Sequence, residues 1–251
     1  MKDFEINIKI KLKTLTHHKR VEKWGKAEPY LWTIFFKMDG SSIDITPQFK
    51  IAGNATFQFT KGSHGNLGIS SRHESNEVPI PSAIGEWNTY LEPVQIPYFD
   101  QKAAGIAGAI VVLMEKNNVS YEGAEAGHLA LNEKVEAAVN QTLKEFDPKI
   151  VDINNAMPSI RKFFEDKVEK VTDSLQGDIV NAIKSKQKLL QNIWTLLKPD
   201  NLIGYHVWNF SQADLMETED ESIDFSNLWA SKAHGDWEIF GNVSAVYDDF
   251  E

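Results

Sequence analysis

AAGIAGAIVVLMEKNNVSYEGAEAGHLALNEKV, Ala103 to Val135, decides the fold, because the repeat of its apolar residues changes in the middle. The run Ala103 to Met114 carries no charge, and its length is well short of the roughly twenty apolar residues that a membrane-spanning helix needs. It reads as a central strand buried on both faces, with Gly105 and Gly108 permitting close packing or a bend. A small-residue membrane-insertion segment is the sharper alternative. From Ser120 the period becomes helical: Ala124, His128, Leu131, Val135, Ala138, Thr142 and Phe146 recur at steps of three and four, with Glu125, Glu133, Lys134, Glu136 and Lys144 elsewhere. Ser120 is placed to cap this helix through its hydroxyl, and Asp147-Pro148 ends it.

Outward on the C-terminal side, Pro158 opens a second helical pattern. Ile160, Phe164, Val168, Val171, Leu175, Ile179, Ile183, Leu190, Ile193 and Leu197 continue it to Pro199-Asp200. Unbroken, this helix would be about 55 Å long at 1.5 Å per residue. Gly177 is the natural place for a break. Such a helix outreaches a compact domain, so part of its stripe needs a further partner: the first helix, another protomer, or lipid. The densest apolar positions, Phe163, Phe164, Val168, Val171, Ile193, Trp194 and Leu197, are the expected partner- or membrane-contacting residues.

Outward on both sides the strand period returns. Phe4, Ile6, Ile8, Ile10 and Leu12 alternate with polar residues, as one half-buried strand requires. Pro29 to Gly40, PYLWTIFFKMDG, is aromatic and β-branched, and closes on Asp39-Gly40 as a more deeply buried strand. Phe49 to Ser70 reads as short hairpin strands broken by glycine. Residues 71 to 92, with Pro79 and Pro81, read as a long connection. After Pro199, Leu202 to Phe210 and Trp237 to Tyr247 are strands. The acidic stretch Glu217 to Asp224 between them lacks an apolar repeat and reads as an exposed loop.

Strand patterns on both sides of the helices are most simply used in one sheet system. The expected fold is therefore α+β: an antiparallel β-sandwich of residues 1–119 with 199–251, carrying an inserted long helical hairpin at 120–198. A separate N-terminal β domain followed by a helical and β unit is the alternative.

The 251 residues include 42% hydrophobic and 25% charged residues, ordinary values for a folded globular chain. Without cysteine there is no disulfide, thiolate metal site or cysteine nucleophile. The N-terminus alternates charge and apolarity, so no signal peptide is expected. No transmembrane helix is expected either, leaving a cytoplasmic chain or one exported by a signal-independent route. The net charge of −10 comes entirely from residues 201–251, where eleven acids face one base, Lys232, while the rest balances 25 against 25. Clustered Lys and Arg are what nucleic acid needs, so no nucleic-acid partner is expected. A protein partner, self-association through the helices, or a membrane remains.

Candidate chemistry is sparse. Gly62, Gly65 and Gly68 in GSHGNLG have neither the lysine of a P-loop nor a following helix, and a hairpin loop explains them. His234, Asp236 and Glu238 would line one face of a strand, as metal ligands could, or form the wet face opposite Trp237 and Ile239. Asp39 and Asp44, or Glu219, Asp220 and Asp224, could supply the oxygens that calcium prefers, although neither segment has the EF-hand pattern. No cofactor other than calcium is expected. His17-His18 and His206 read as surface or structural histidines.

The phrases EPYLWTIFFKMDG (28–40), AIVVLMEKNN (109–118) and EAGHLALNEKV (125–135) resemble stretches of bacterial proteins without an assigned activity, and the strand order resembles C2-like sandwiches. The likeness to C2 domains implies a β-sandwich; it covers the β segments alone and lacks that family's aspartate-rich calcium loops, so it carries no ligand over. The expected function is a non-catalytic binding or assembly protein, its helical hairpin contacting a partner or membrane, in a bacterial toxin or effector system. The alternatives are a hydrolase built from His, Asp and Glu of the C-terminal strands and a calcium-dependent C2-like module.

Overall fold

A computed structural model describes residues 5–19, 28–48, 50–68, 76–98, 100, 102–116, 120–145, 202–231 and 234–246. Among them the chain is a β-rich α+β fold of antiparallel sheets with a few helices.

Strand β1, Ile6–Lys19, runs well past the alternating segment seen in the sequence. Ile6, Ile8, Ile10 and Leu12 point inward, a bulge between Leu12 and Thr14 shifts the phase, and Leu15 and His17 then point inward. The extra residue keeps apolar groups on the core face, so His17 is a buried strand residue. Strand β2 is Pro29–Met38, β3 Ile43–Ile45, β4 Ile51–Gly53 and β5 Thr56–Phe59. The expected connection at 71–92 is instead structured over its described part. It contains β6 (Asn76–Pro79), the short helix α1 (Ser82–Gly85) and β7 (Glu86–Leu91). Val78, Ile80, Ile84, Trp87 and Leu91 are buried and hold it down. Pro79 fits because it ends an edge strand.

Strands β8 (Val94–Gln95) and β9 (Lys102–Ala103) form a small pair, followed by β10, Ile106–Glu115, and α2, Tyr121–Glu145. Then come β11 (Leu202–Ser211), α3 (Gln212–Glu217), β12 (Ser222–Ser231) and β13 (Gly235–Val246). The acidic stretch is thus not a single loop. Ser211 caps α3 with a reciprocal Ser211/Asp214 box, and Asp224 already lies in β12, opposite Asn242.

β12, β13, β1 and β6 make one sheet, with β7 also paired to β1. β11, β10, β2 and β5 make the other. The two meet across a shared apolar cluster. Ile8, Ile10, Leu12, Trp237, Ile239 and Val243 of the five-stranded sheet pack with Leu31, Phe35, Ala109, Val111, Leu113 and Trp208 of the four-stranded one. Alternate residues of β2 and β10 (Tyr30, Trp32, Ile34, Phe36; Ile110, Val112, Met114) point the other way, into a second cluster covered by α2. This explains why both strands are apolar without alternation: each is buried on both faces.

Candidate contact site

Helix α2 begins where Ser120 Oγ accepts the Gly123 amide at 3.1 Å, the expected cap. Ala124, His128, Leu131, Val135 and Thr142 of the anticipated stripe are buried. Ala138 is half-buried, and Val139 and Leu143 take the inward positions beside it. Ala124, Leu131, Val135, Val139 and Leu143 all lie in the cluster with Trp32, Phe36 and Val112. Asn140 Oδ1 accepts the Ala55 amide at 2.9 Å, tying the far half of the helix to the loop after β4. The apolar face of α2 is therefore used from end to end against the sheet. Its outward face carries Ala126, Ala130 and Ala137, charged residues such as Glu133 and Lys134, and Leu129 at 57% exposure.

Under the first half of α2 lies a seam of aromatic and histidine side chains. His128, 1% exposed, lies parallel to the Trp32 ring with centroids 5.4 Å apart. Its imidazole bonds to the backbone of Gly62, but burial is the larger influence and pushes its pKa down to about 4. Tyr30 packs edge-on against Trp32 and His64, and His64 lies edge-on to Tyr121. Burial pushes the Tyr30 phenol up to about 12. His64 is lowered first by burial and then by Lys116, with Glu28 opposing. The GSHGNLG loop closes this seam, with positive φ at Gly62, Gly65 and Gly68. It is a structural loop: Asn66 accepts the Leu31 amide at 3.1 Å and donates to the Leu31 carbonyl, occupying the edge of β2 beyond β5. Helical spacing alone makes His128 an ordinary stripe residue, and nothing in it points to His64. The available signal is a histidine standing among Ala and Leu at inward helix positions.

The residues considered for metal are dispersed. Among the described residues, no group of three or more His, Asp or Glu side chains is gathered as a metal ion would need. Asp39 is fully buried: Oδ2 receives Lys37 Nζ at 2.9 Å and the Glu92 amide at 3.1 Å, and Oδ1 receives Ser41 Oγ at 2.7 Å and the Ser41 amide at 3.2 Å. With an ammonium already on it, this carboxylate closes a turn; Asp44 is exposed on β3. Glu219 and Asp220 are exposed before β12, and Asp224 lies 3.5 Å from Lys13. His234, Asp236 and Glu238 are half-buried and alternate with buried Trp237 and Ile239, the wet-face arrangement. They also turn to different partners. His234 Nδ1 lies 2.8 Å from Glu115 Oε2, joining the two sheets, and Glu238 Oε2 lies 2.7 Å from His18 Nε2.

Phe163, Phe164, Val168, Val171, Ile193, Trp194 and Leu197 lie outside the described residues, as does the whole second helical pattern. Among the described residues, no helix is long and apolar enough to cross a membrane. The chain matches no protein-family model, no curated protein and no solved structure.

Proposed function

We propose that this chain is a non-catalytic binding or assembly protein whose contact element is the apolar stripe encoded between Pro158 and Leu197. One observation carries the reading: α2 spends its apolar face on the four-stranded sheet. A hairpin in which two apolar stripes cover each other needs that same face. The stripe of Phe164, Val168, Val171, Ile193 and Leu197 must then find its cover elsewhere, and the outward face of α2 offers alanine and charge with one exposed leucine. Burying a stripe of this length is worth about 1.5–3 kcal/mol per large apolar side chain, a strong drive toward a partner. In this reading the two facing sheets are a β-sandwich interrupted by residues 120–198.

Light-scattering sizing of the full chain, run beside dye-leakage assays on anionic and neutral vesicles, tests the proposal. Self-association, or vesicle leakage of the kind expected of a membrane-active toxin component, supports it if Phe164→Glu with Val168→Glu abolishes the effect. A strict monomer, inert to both vesicle types, overturns it.

A further inference from the structure

We propose that His128 is a pH-operated latch: protonation of its imidazole releases the first half of α2 from the outer face of the four-stranded sheet. The geometry is that of a neutral histidine used as a packing piece. His128 is enclosed between α2, β2 and the 60–68 loop, with one ring nitrogen committed to the Gly62 backbone. Its Nε2 has no hydrogen-bond partner among the described residues. A proton arriving there would create a buried donor and a full charge with no hydrogen-bond partner in place among the described residues.

The groups around it supply no counter-charge by hydrogen bond. From its own helix come Glu125, Asn132 and Tyr121; Glu125 Oε2 and Asn132 Oδ1 are themselves buried and unpartnered among the described residues. From the loop comes His64, whose buried Nε2 is likewise unpartnered. From β2 come Tyr30 and Trp32. At the adjoining strand ends, Glu28 and Lys116 pair with each other at 3.0 Å and act on His64. The Trp32 ring face favours a cation, yet a ring this deeply enclosed gains more by moving into water. His64, lowered in the same seam, adds its own protonation in the same direction.

Release is confined to the first half because the second half is held by groups that do not titrate. Val135, Val139 and Leu143 are in the apolar cluster, and Asn140 accepts the Ala55 amide. The latch stands independently of what the second stripe contacts. Its consequence is that acid would expose Ala124, Leu131 and the face of Trp32 without unfolding the sheets.

Hydrogen–deuterium exchange of the full chain, corrected for intrinsic rates, between pH 7 and pH 4 tests this. In the parent, amides of 121–132 should lose about tenfold or more of their protection relative to β10. In His128→Phe that loss should disappear. Retained protection of 121–132 at pH 4 in the parent, or equal loss in the variant, overturns the latch. Should His128→Phe fail to fold, an NMR titration of the His128 ring in the parent decides. A midpoint far below the ordinary histidine value, coincident with exchange of 121–132, supports the latch. An ordinary midpoint with α2 still protected overturns it.

Discussion

Lys37 Nζ lies 2.9 Å from Asp39 Oδ2, and both side chains are almost wholly out of water, at 5% and 0% exposure. The ammonium also donates to Ser41 Oγ and the Tyr90 carbonyl, each at 3.0 Å, and sits 3.7 Å over the Tyr90 ring. With the carboxylate receiving Ser41 and the Glu92 amide, this knot ties the turn after β2 to the end of β7. Removing one member of such a pair strands the other charge. Lys37→Met should cost about 3–5 kcal/mol in urea unfolding. The double variant Lys37→Met with Asp39→Asn should recover part of that loss. A single-variant cost below about 1 kcal/mol would mean that the pair is solvated.

A second prediction concerns the place where the edges of the two sheets meet. Gly204 of β11 has the Trp229 ring against it, so a Cβ would fall 2.2 Å from Trp229 Cδ1. The same indole donates to the Tyr205 carbonyl at 3.1 Å. Gly204→Ala must displace the ring and strain or break that bond. The expected cost is about 1–3 kcal/mol, that of overpacking a filled site. Thermal unfolding measures it, and an unchanged midpoint would show that Trp229 yields freely.

For the pH dependence of stability, the sign follows from a histidine whose folded value lies below its unfolded one. His128 is held at about 4 against an ordinary 6.5. Its neutral form contributes stability that is fully present above pH 6.5 and is lost as pH falls through the folded value. The loss approaches about 3 kcal/mol, at roughly 1.4 kcal/mol for each tenfold change in proton affinity. Chemical denaturation at pH 7 and pH 4, parent beside His128→Phe, reads the difference directly. Parallel pH profiles would contradict it.

The Ser120 hydroxyl holds the first turn of α2 through Gly123. Ser120→Ala should destabilise by about 1 kcal/mol. Because the cap adjoins the seam, exchange at 121–124 should rise before exchange at 139–143 does. Uniform change along the helix would argue that α2 docks as one rigid unit.

What was legible in the sequence follows from how local each signal is. β2 and β10 declared themselves because burial on both faces leaves runs that are almost wholly apolar, with Thr33, Lys37 and the terminal Glu115 as the exceptions, and α2 did so because its buried arc repeats within one turn. The extension of β1 to Lys19 was hidden by the bulge at Leu12/Thr14, which breaks the alternation that a reader follows. β6, α1 and β7 were hidden because Val78, Ile80, Ile84 and Trp87 fit no single period: strand, turn and strand follow within a few residues. In the candidate site, the outward face of α2 was readable as the complement of its stripe. The His64 and His128 seam was not, since it exists only when the loop beyond β5 folds over β2 and meets a helix much later in the chain. The spent apolar face of α2 was likewise invisible: a stripe reveals that it is covered, not by what.

Trp194 reports most directly on the central claim, that the second stripe takes its cover from outside the protomer. The measurement is acrylamide quenching of its fluorescence, taken as parent minus Trp194→Phe, over a dilution series and again with vesicles. The account predicts that Trp194 is shielded when protomers are concentrated or vesicles are present and becomes accessible on dilution without them. Shielding that is complete in a dilute monomer, and unchanged by concentration or lipid, would contradict it.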